Sequence, residues 1–310
     1  TIPATAFDPR MGRYVIQRVG YTSPDYCIVP KLLIRSAAVA VAPERPQLYW
    51  LTLRVPPESA PGEYTGAVRV EADGNAVSLP LTLRVPALRL GRSRPWMLFF
   101  YESNPKDAEL YFRDMREHGM TSVILAQVQA PLRREGDRAV VDFTTSDAFV
   151  DAYRKVGFTD PLVYNPFHDR LATILLDLFG LADQFPAVEN YGETIRTFRD
   201  DEYPESLHAT YRQVVVDIYE HARQAEWPPT LFFPVDEPNE PADWRPAAAR
   251  LEYRLTREAV PTERTFCTVY SIPMMERLDP WLDVRACPVV PLVTDARARQ
   301  EAQDYVRRAG

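Results

Sequence analysis

The chain has 310 residues, of which 46% are hydrophobic and 25% charged, a size and balance that suit two globular domains with buried cores. Its net charge of -7, with both signs interspersed, provides no basic field for nucleic acid or an anionic membrane surface. No apolar run approaches the roughly 20 residues of a membrane-spanning helix. The three cysteines, Cys27, Cys267 and Cys287, have neither disulfide-framework nor zinc spacing and read as small buried hydrophobes.

The first part of the chain, to about Pro86, alternates apolar and polar residues and is punctuated by Pro and Gly. Leu48 to Val55, Gly66 to Ala72 and Ala76 to Val85 suit half-buried strands. Pro57 to Tyr64 has turn chemistry, and Asp73-Gly74 marks a tight hairpin because Gly accepts the positive φ of a primed turn. Short strands without a helix predict an antiparallel β-sandwich over residues 1–90.

Residues 91–310 change rhythm to alternating strand and helix. Trp96 to Tyr101 is a doubly covered strand, Asp107 to His118 a helix stopped by Gly119, and Thr121 to Ala126 the next strand. A small hairpin at Arg138 to Phe143 precedes a helix from Ser146 to Val156. Pro161 to Asn165 is a third strand and Leu171 to Phe179 a helix, after which Ala182 to Glu202 reads as a long loop. Leu207 to Glu226 is an amphipathic helix ended by Trp227-Pro228-Pro229. Thr230 to Val235, Thr265 to Val269 and Val284 to Val290 are further strands, with helices at Pro246 to Ala259 and Thr294 to Arg308. Alternating units with covered strands predict a parallel sheet wound as a TIM-like (β/α)8 barrel. About six units are legible, and fewer residues remain than the roughly 250 of an eight-unit barrel, so the barrel is expected to be incomplete at its C-terminal side.

The segment Leu231-Phe232-Phe233-Pro234-Val235-Asp236-Glu237-Pro238 carries the chemistry. An apolar strand runs into two adjacent carboxylates, and C-terminal strand ends are where barrels build their sites. Glycosidic cleavage needs an acid for the leaving oxygen and a second group at the anomeric carbon. Neighbouring carboxylates beside apolar groups also suit a raised pKa. The same triplet equally well opens the next loop. Other strand-end residues, Tyr101, Glu102, Asn165, His168 and Tyr270, are candidates for holding a sugar, with packing or loop capping as the alternative for each. Trp244, in the loop after the carboxylate pair, offers a flat face on which a sugar ring can stack. No metal-ligand spacing, phosphate-binding Gly loop or nucleophile elbow is present, so no metal or cofactor is expected.

Leu48-Tyr49-Trp50-Leu51-Thr52-Leu53, Pro61-Gly62-Glu63-Tyr64-Thr65-Gly66, Asp114-Met115-Arg116-Glu117-His118-Gly119-Met120 and Phe233-Pro234-Val235-Asp236-Glu237-Pro238 occur in an order that resembles glycoside hydrolase family 123 and its relatives. The resemblance spans residues 48 to 290. It implies a retaining exo-β-N-acetylhexosaminidase, with Glu237 as general acid/base and Asp236 orienting the substrate's 2-acetamido group. Tyr270 would then bond that group or the intermediate, and a secreted or periplasmic setting would be expected. A two-carboxylate glycosidase acting on an unacetylated sugar, with a nucleophile from Glu102 or from sequence beyond Gly310, and a non-catalytic carbohydrate-binding barrel both stay open at this point.

Overall fold

Two units, Thr1–Gly91 and Arg92–Gly310, make up the computed structural model. It describes all residues except 21–22, 37, 42–45, 90, 92–96, 102–103, 127, 191–192, 200, 239–244, 288–294 and 310.

In the first unit, alternation becomes antiparallel sheet. β1 (Phe7–Arg18) lies between β2 (Tyr26–Ile34) and β3 (Tyr49–Leu53), and β4 (Gly62–Ala72) pairs with β5 (Asn75–Val85). Asp73 and Gly74 join β4 to β5 with φ of 49° and 78°, the left-handed pair of a primed turn, while Ala72 faces Asn75 across it. Gly62 to Tyr64 belongs to β4 instead of the predicted turn, because its backbone continues the ladder against Leu83 to Val85. β1 and β2 were not singled out in the sequence. A register shift at Arg13/Tyr14 and the run Asp8-Pro9-Arg10 break their alternation. Cys27 is exposed here, contrary to the expected burial.

The second unit alternates strand and helix: β6 (Met97–Phe100), α1 (Ala108–Glu117), β7 (Ser122–Leu125), a hairpin of β8 (Leu132–Glu135) and β9 (Arg138–Val141), α2 (Thr144–Val156), β10 (Leu162–Tyr164) and α3 (Leu171–Leu178). A second hairpin follows, β11 (Ala187–Asn190) with β12 (Glu193–Arg196), so the stretch predicted as a loop carries strands of its own. α4 (Glu205–Gln224), β13 (Thr230–Phe232), α5 (Arg245–Ala259), β14 (Phe266–Thr268), α6 (Ile272–Leu278), β15 (Val284–Ala286) and α7 (Ala296–Ala309) complete the unit.

The parallel strands neighbour one another in chain order: β6, β7, β10 and β13 form one sheet, Phe232 bridges Thr265, and β14 pairs with β15. Such an order winds all crossovers the same way round, as in a barrel; a doubly wound sheet would reverse direction. The sheet also curls. Phe99 on β6 meets Phe233, just beyond β13, at 6.2 Å edge to face, although two strands lie between them, and Phe266 approaches Phe233 at 5.0 Å. β7, β10, β13 and β14 are buried on both faces. The outer strands are not: Leu98 of β6 is 49% exposed and β15 is only half-buried. Of the expected (β/α)8 barrel, incomplete at its C-terminal side, the described residues form a curled four-stranded parallel sheet, bridged at Phe232–Thr265 to the β14–β15 pair, without closure.

Buried tyrosines tie helices to this wall through their hydroxyls, as a buried phenol requires. Tyr164 of β10 meets Ser146 of α2 at 2.7 Å, and Tyr153 of α2 donates to Ser122 Oγ of β7. Trp227 Nε1 donates to Asp147 at 2.8 Å, and His221 bonds the same oxygen at 2.8 Å while stacking on Phe143, which fixes α4 against α2. Tyr253 of α5 reaches both Val235 O (3.1 Å) and Phe266 O (2.6 Å), so one side chain pins the ends of two adjacent strands.

Candidate active site

The strand ladder continues one bond past each strand end. Ala126 N donates to Phe100 O, Asn165 N to Leu125 O, and Phe233 N to Tyr164 O. Pro234 then offers no N–H, so β13 ends at Phe232, short of the predicted Val235, and the chain turns towards β14. Asp236 and Glu237 sit in that turn.

Thr268, the last residue of β14, holds both carboxylate residues. Its Oγ1 accepts the Glu237 backbone N–H at 3.2 Å and donates to Asp236 Oδ1. Tyr270, two residues further on, donates its hydroxyl to Glu237 Oε1. Glu237 adopts a left-handed φ of 46°, which for a non-glycine residue costs of order 1–3 kcal/mol and persists only where surroundings enforce it. The Thr268 and Tyr270 bonds supply that enforcement.

From the β10 side, the turn Asn165 to Arg170 supplies Asp169. Its Oδ1 accepts the Asp236 backbone N–H at 2.8 Å and the Asn165 side-chain Nδ2–H at 2.9 Å. His168 and Asp169 are both left-handed, with φ of 52° and 63°. Three of the five left-handed non-glycine residues among the described residues thus gather in two facing turns.

Electrostatics follow from this geometry. Burial pushes the Asp236 carboxyl up to about 6; the Thr268 hydrogen bond opposes, the charge of Glu237 adds, and Arg245 opposes. Burial pushes Asp169 up to about 7, with the Asn165 bond opposing and the Asp236 charge adding. The bond to Glu237 drives the Tyr270 hydroxyl up to about 12, with burial and then the charges of Glu237 and Asp236 adding, so Tyr270 stays a donor at neutral pH. Asp236 and Asp169 thus both take up protons closer to neutrality than an ordinary carboxyl, beside a phenol donor.

Of the residues proposed from sequence, Asp236, Glu237 and Tyr270 share one hydrogen-bonded cluster. Asn165 joins it through Asp169, and half-buried His168 lies in the same turn. Tyr101 follows β6, stacks on Phe99 at 5.6 Å and is 55% exposed. Glu102 and Trp244 lie outside the described residues. Asp169, Thr268 and Arg245 went unnoticed in the sequence. Asp169 carried the signal that singled out Asp236, a carboxylate just past an apolar strand, but His168 drew attention instead. Below the cluster Cys267 is buried as expected, whereas Cys287 is exposed. Among the described residues no group of three or more His, Cys, Asp or Glu is arranged to hold a metal ion.

No family model matches the sequence, and no curated protein matches it. Among solved structures, the chain is similar to a family 123 glycoside hydrolase from Clostridium perfringens described in terms of glycolipid glycan hydrolysis, with a TM-score of 0.68 and 14% identity over 98% of this chain. The two share a fold. The present chain spans 58% of that protein's length. β-Glucuronidases from Parabacteroides merdae (TM-score 0.35, 10% identity, 96% of this chain and 35% of that one) and Bacteroides uniformis (0.37, 11%, 95% and 34%) also match, at scores too low to carry an argument.

Proposed function

We propose that the chain is a glycoside hydrolase, of the retaining exo-acting type, that cleaves β-linked N-acetylhexosaminides with the help of the substrate's own acetamido group. The observation that carries this reading is the Asp236–Glu237 pair at a strand end, with Tyr270 bonded to Glu237 and Thr268 bonded to Asp236. The fold shared with a family 123 glycoside hydrolase supports it.

In this mechanism Glu237, as the acid, gives its proton to the glycosidic oxygen, and the leaving group departs as an alcohol. The acetamido carbonyl oxygen attacks the anomeric carbon as the glycosidic bond breaks, forming an oxazolinium ion. Asp236, ionised, accepts the acetamido N–H, which orients the group and offsets the positive charge that develops on it. Water then adds to the anomeric carbon and gives a proton to Glu237, now a base, which restores the acid and the acetamido group. Tyr270 holds the Glu237 carboxyl towards the scissile bond. The sugar supplies the nucleophile, so adjacent carboxylates suffice without a second one across the cleft.

Hydrolysis of nitrophenyl β-N-acetylgalactosaminide and β-N-acetylglucosaminide, beside their unacetylated counterparts, tests the reading. Turnover confined to the acetamido sugars is expected. Glu237→Gln should lower kcat by about a hundred- to ten-thousand-fold at unchanged melting temperature. Full activity in that variant refutes the assignment. Turnover of the unacetylated sugars points instead to a two-carboxylate mechanism.

A further inference from the structure

Asp169 is the carboxylate that the reaction above does not use, yet it lies against the pair that does. One oxygen, Oδ1, takes two donors from two directions: the backbone N–H of Asp236 at 2.8 Å and the side-chain amide of Asn165 at 2.9 Å. The first is a contact to main chain, so it fixes where Asp236 sits and leaves the Asp236 carboxylate free for Thr268 and a substrate. The second has a visible consequence for Asn165. That residue is 3% exposed, and its Oδ1 is buried with no hydrogen-bond partner among the described residues. An amide turned this way leaves its acceptor unsatisfied in order to point its donors at Asp169, which is favourable only towards an oxygen that accepts strongly. Asp169 itself keeps a left-handed backbone at φ 63°, a conformation Asp tolerates through its short polar side chain.

We propose that Asp169 is a positioning residue: from the turn after β10 it anchors the main chain of Asp236 and thereby sets the Asp236–Glu237 pair for reaction. The proposal rests on the functional reading above and deepens it, by adding a third carboxylate to the same site. Among the described residues, the charged and titratable groups around Asp169 include Asp236 in the turn after β13, Arg245 and Glu252 on α5, with Tyr253 of α5 and Cys267 of β14 beneath. Within this set Asp236 and Asp169 repel each other and Arg245 attracts both. The charge of Asp236 therefore adds to what burial does in raising the Asp169 carboxyl.

The test uses Asp169→Ala, which deletes the acceptor, and Asp169→Asn, which keeps an acceptor oxygen in a residue equally tolerant of the left-handed turn. On the acetamido glycosides, Asp169→Ala should lose about tenfold or more in kcat with little change in KM, and Asp169→Asn should recover most of the loss. Undiminished kcat in Asp169→Ala, or equal losses in both variants, overturns the proposal. A second readout does not depend on the substrate. In protein labelled with carbon-13 at the aspartate carboxyls, the Asp169 midpoint should fall in Asp236→Asn. An Asp169 midpoint unmoved in Asp236→Asn would mean that the two groups do not meet in solution, and that result overturns the proposal. If no glycoside is turned over but the Asp169 midpoint falls in Asp236→Asn, the functional reading fails and the contact of Asp169 with Asp236 stands.

Discussion

Glu252 offers a sharp test of the electrostatics beneath the site. It is fully buried in α5, where its carboxyl accepts the Ala172 N–H at 3.3 Å and the Tyr211 hydroxyl at 3.1 Å. Burial pushes it from 4.5 up to about 8; the Ala172 and Tyr211 bonds oppose, and the neighbouring Asp169 charge adds. The folded chain therefore keeps this proton in a range where the unfolded chain has released it. Where the native state binds more protons, stability falls as pH rises. The contribution is fully present below 4.5 and is lost as pH climbs to about 8, at up to about 1.4 kcal/mol per pH unit. The loss is at most about 5 kcal/mol by pH 8. Glu252→Gln removes the charge and keeps the shape. Its carbonyl can accept the Ala172 N–H, and its amide can donate to Tyr211, whose own proton turns to Thr256 Oγ1 at 3.5 Å. Unfolding by urea, followed by tryptophan fluorescence from pH 5 to 9, should show nearly equal stability near pH 5. At pH 8 to 9 the variant should be ahead, by up to about 5 kcal/mol in the free energy of unfolding. Parallel pH slopes in wild type and Glu252→Gln would refute a neutral buried Glu252.

The same reasoning gives three further outcomes. If the Asp236 carboxylate must be ionised to hold the acetamido N–H, kcat/KM should fall as pH drops through about 6, the value to which burial raises Asp236; a profile flat from pH 5 to 7 would refute this role. Thr268→Val removes the donor to Asp236 and the acceptor of the Glu237 N–H, so the acid limb should move to higher pH and stability should drop by about 1–3 kcal/mol, read from the pH profile and from denaturant unfolding. Tyr253→Phe frees the ends of β13 and β14 by deleting the hydroxyl that reaches Val235 O and Phe266 O, and should lower stability by about 1–3 kcal/mol, with kcat falling more than KM changes; thermal unfolding beside steady-state kinetics measures both.

Much of the architecture was legible because it rests on local rules. The buried strands Ser122–Leu125, Leu162–Tyr164, Thr230–Phe232 and Phe266–Thr268 read as unbroken apolar runs, since a strand covered on both faces has no polar side to show. The Asp73-Gly74 turn was legible because its backbone demands a residue free of a Cβ penalty. Asp236 and Glu237 stood out because two charges directly after such a run interrupt it. The hairpin at Ala187–Asn190 and Glu193–Arg196 was missed, because its alternation is short and mixed with polar residues.

The sequence by itself determined most of the second unit's parallel strands and the helices between them, and that two carboxylates follow a buried strand. Only the tertiary structure decided the curl that brings Phe99 to Phe233, the half-exposed outer strands, and the company Asp236 keeps. Thr268 lies 32 positions beyond Asp236 and Asp169 lies 67 positions before it. No local period links residues that far apart. They meet because parallel strands wound in chain order bring successive C-terminal ends side by side, and the pairing of a buried charge depends on what arrives there, which spacing along the chain does not encode.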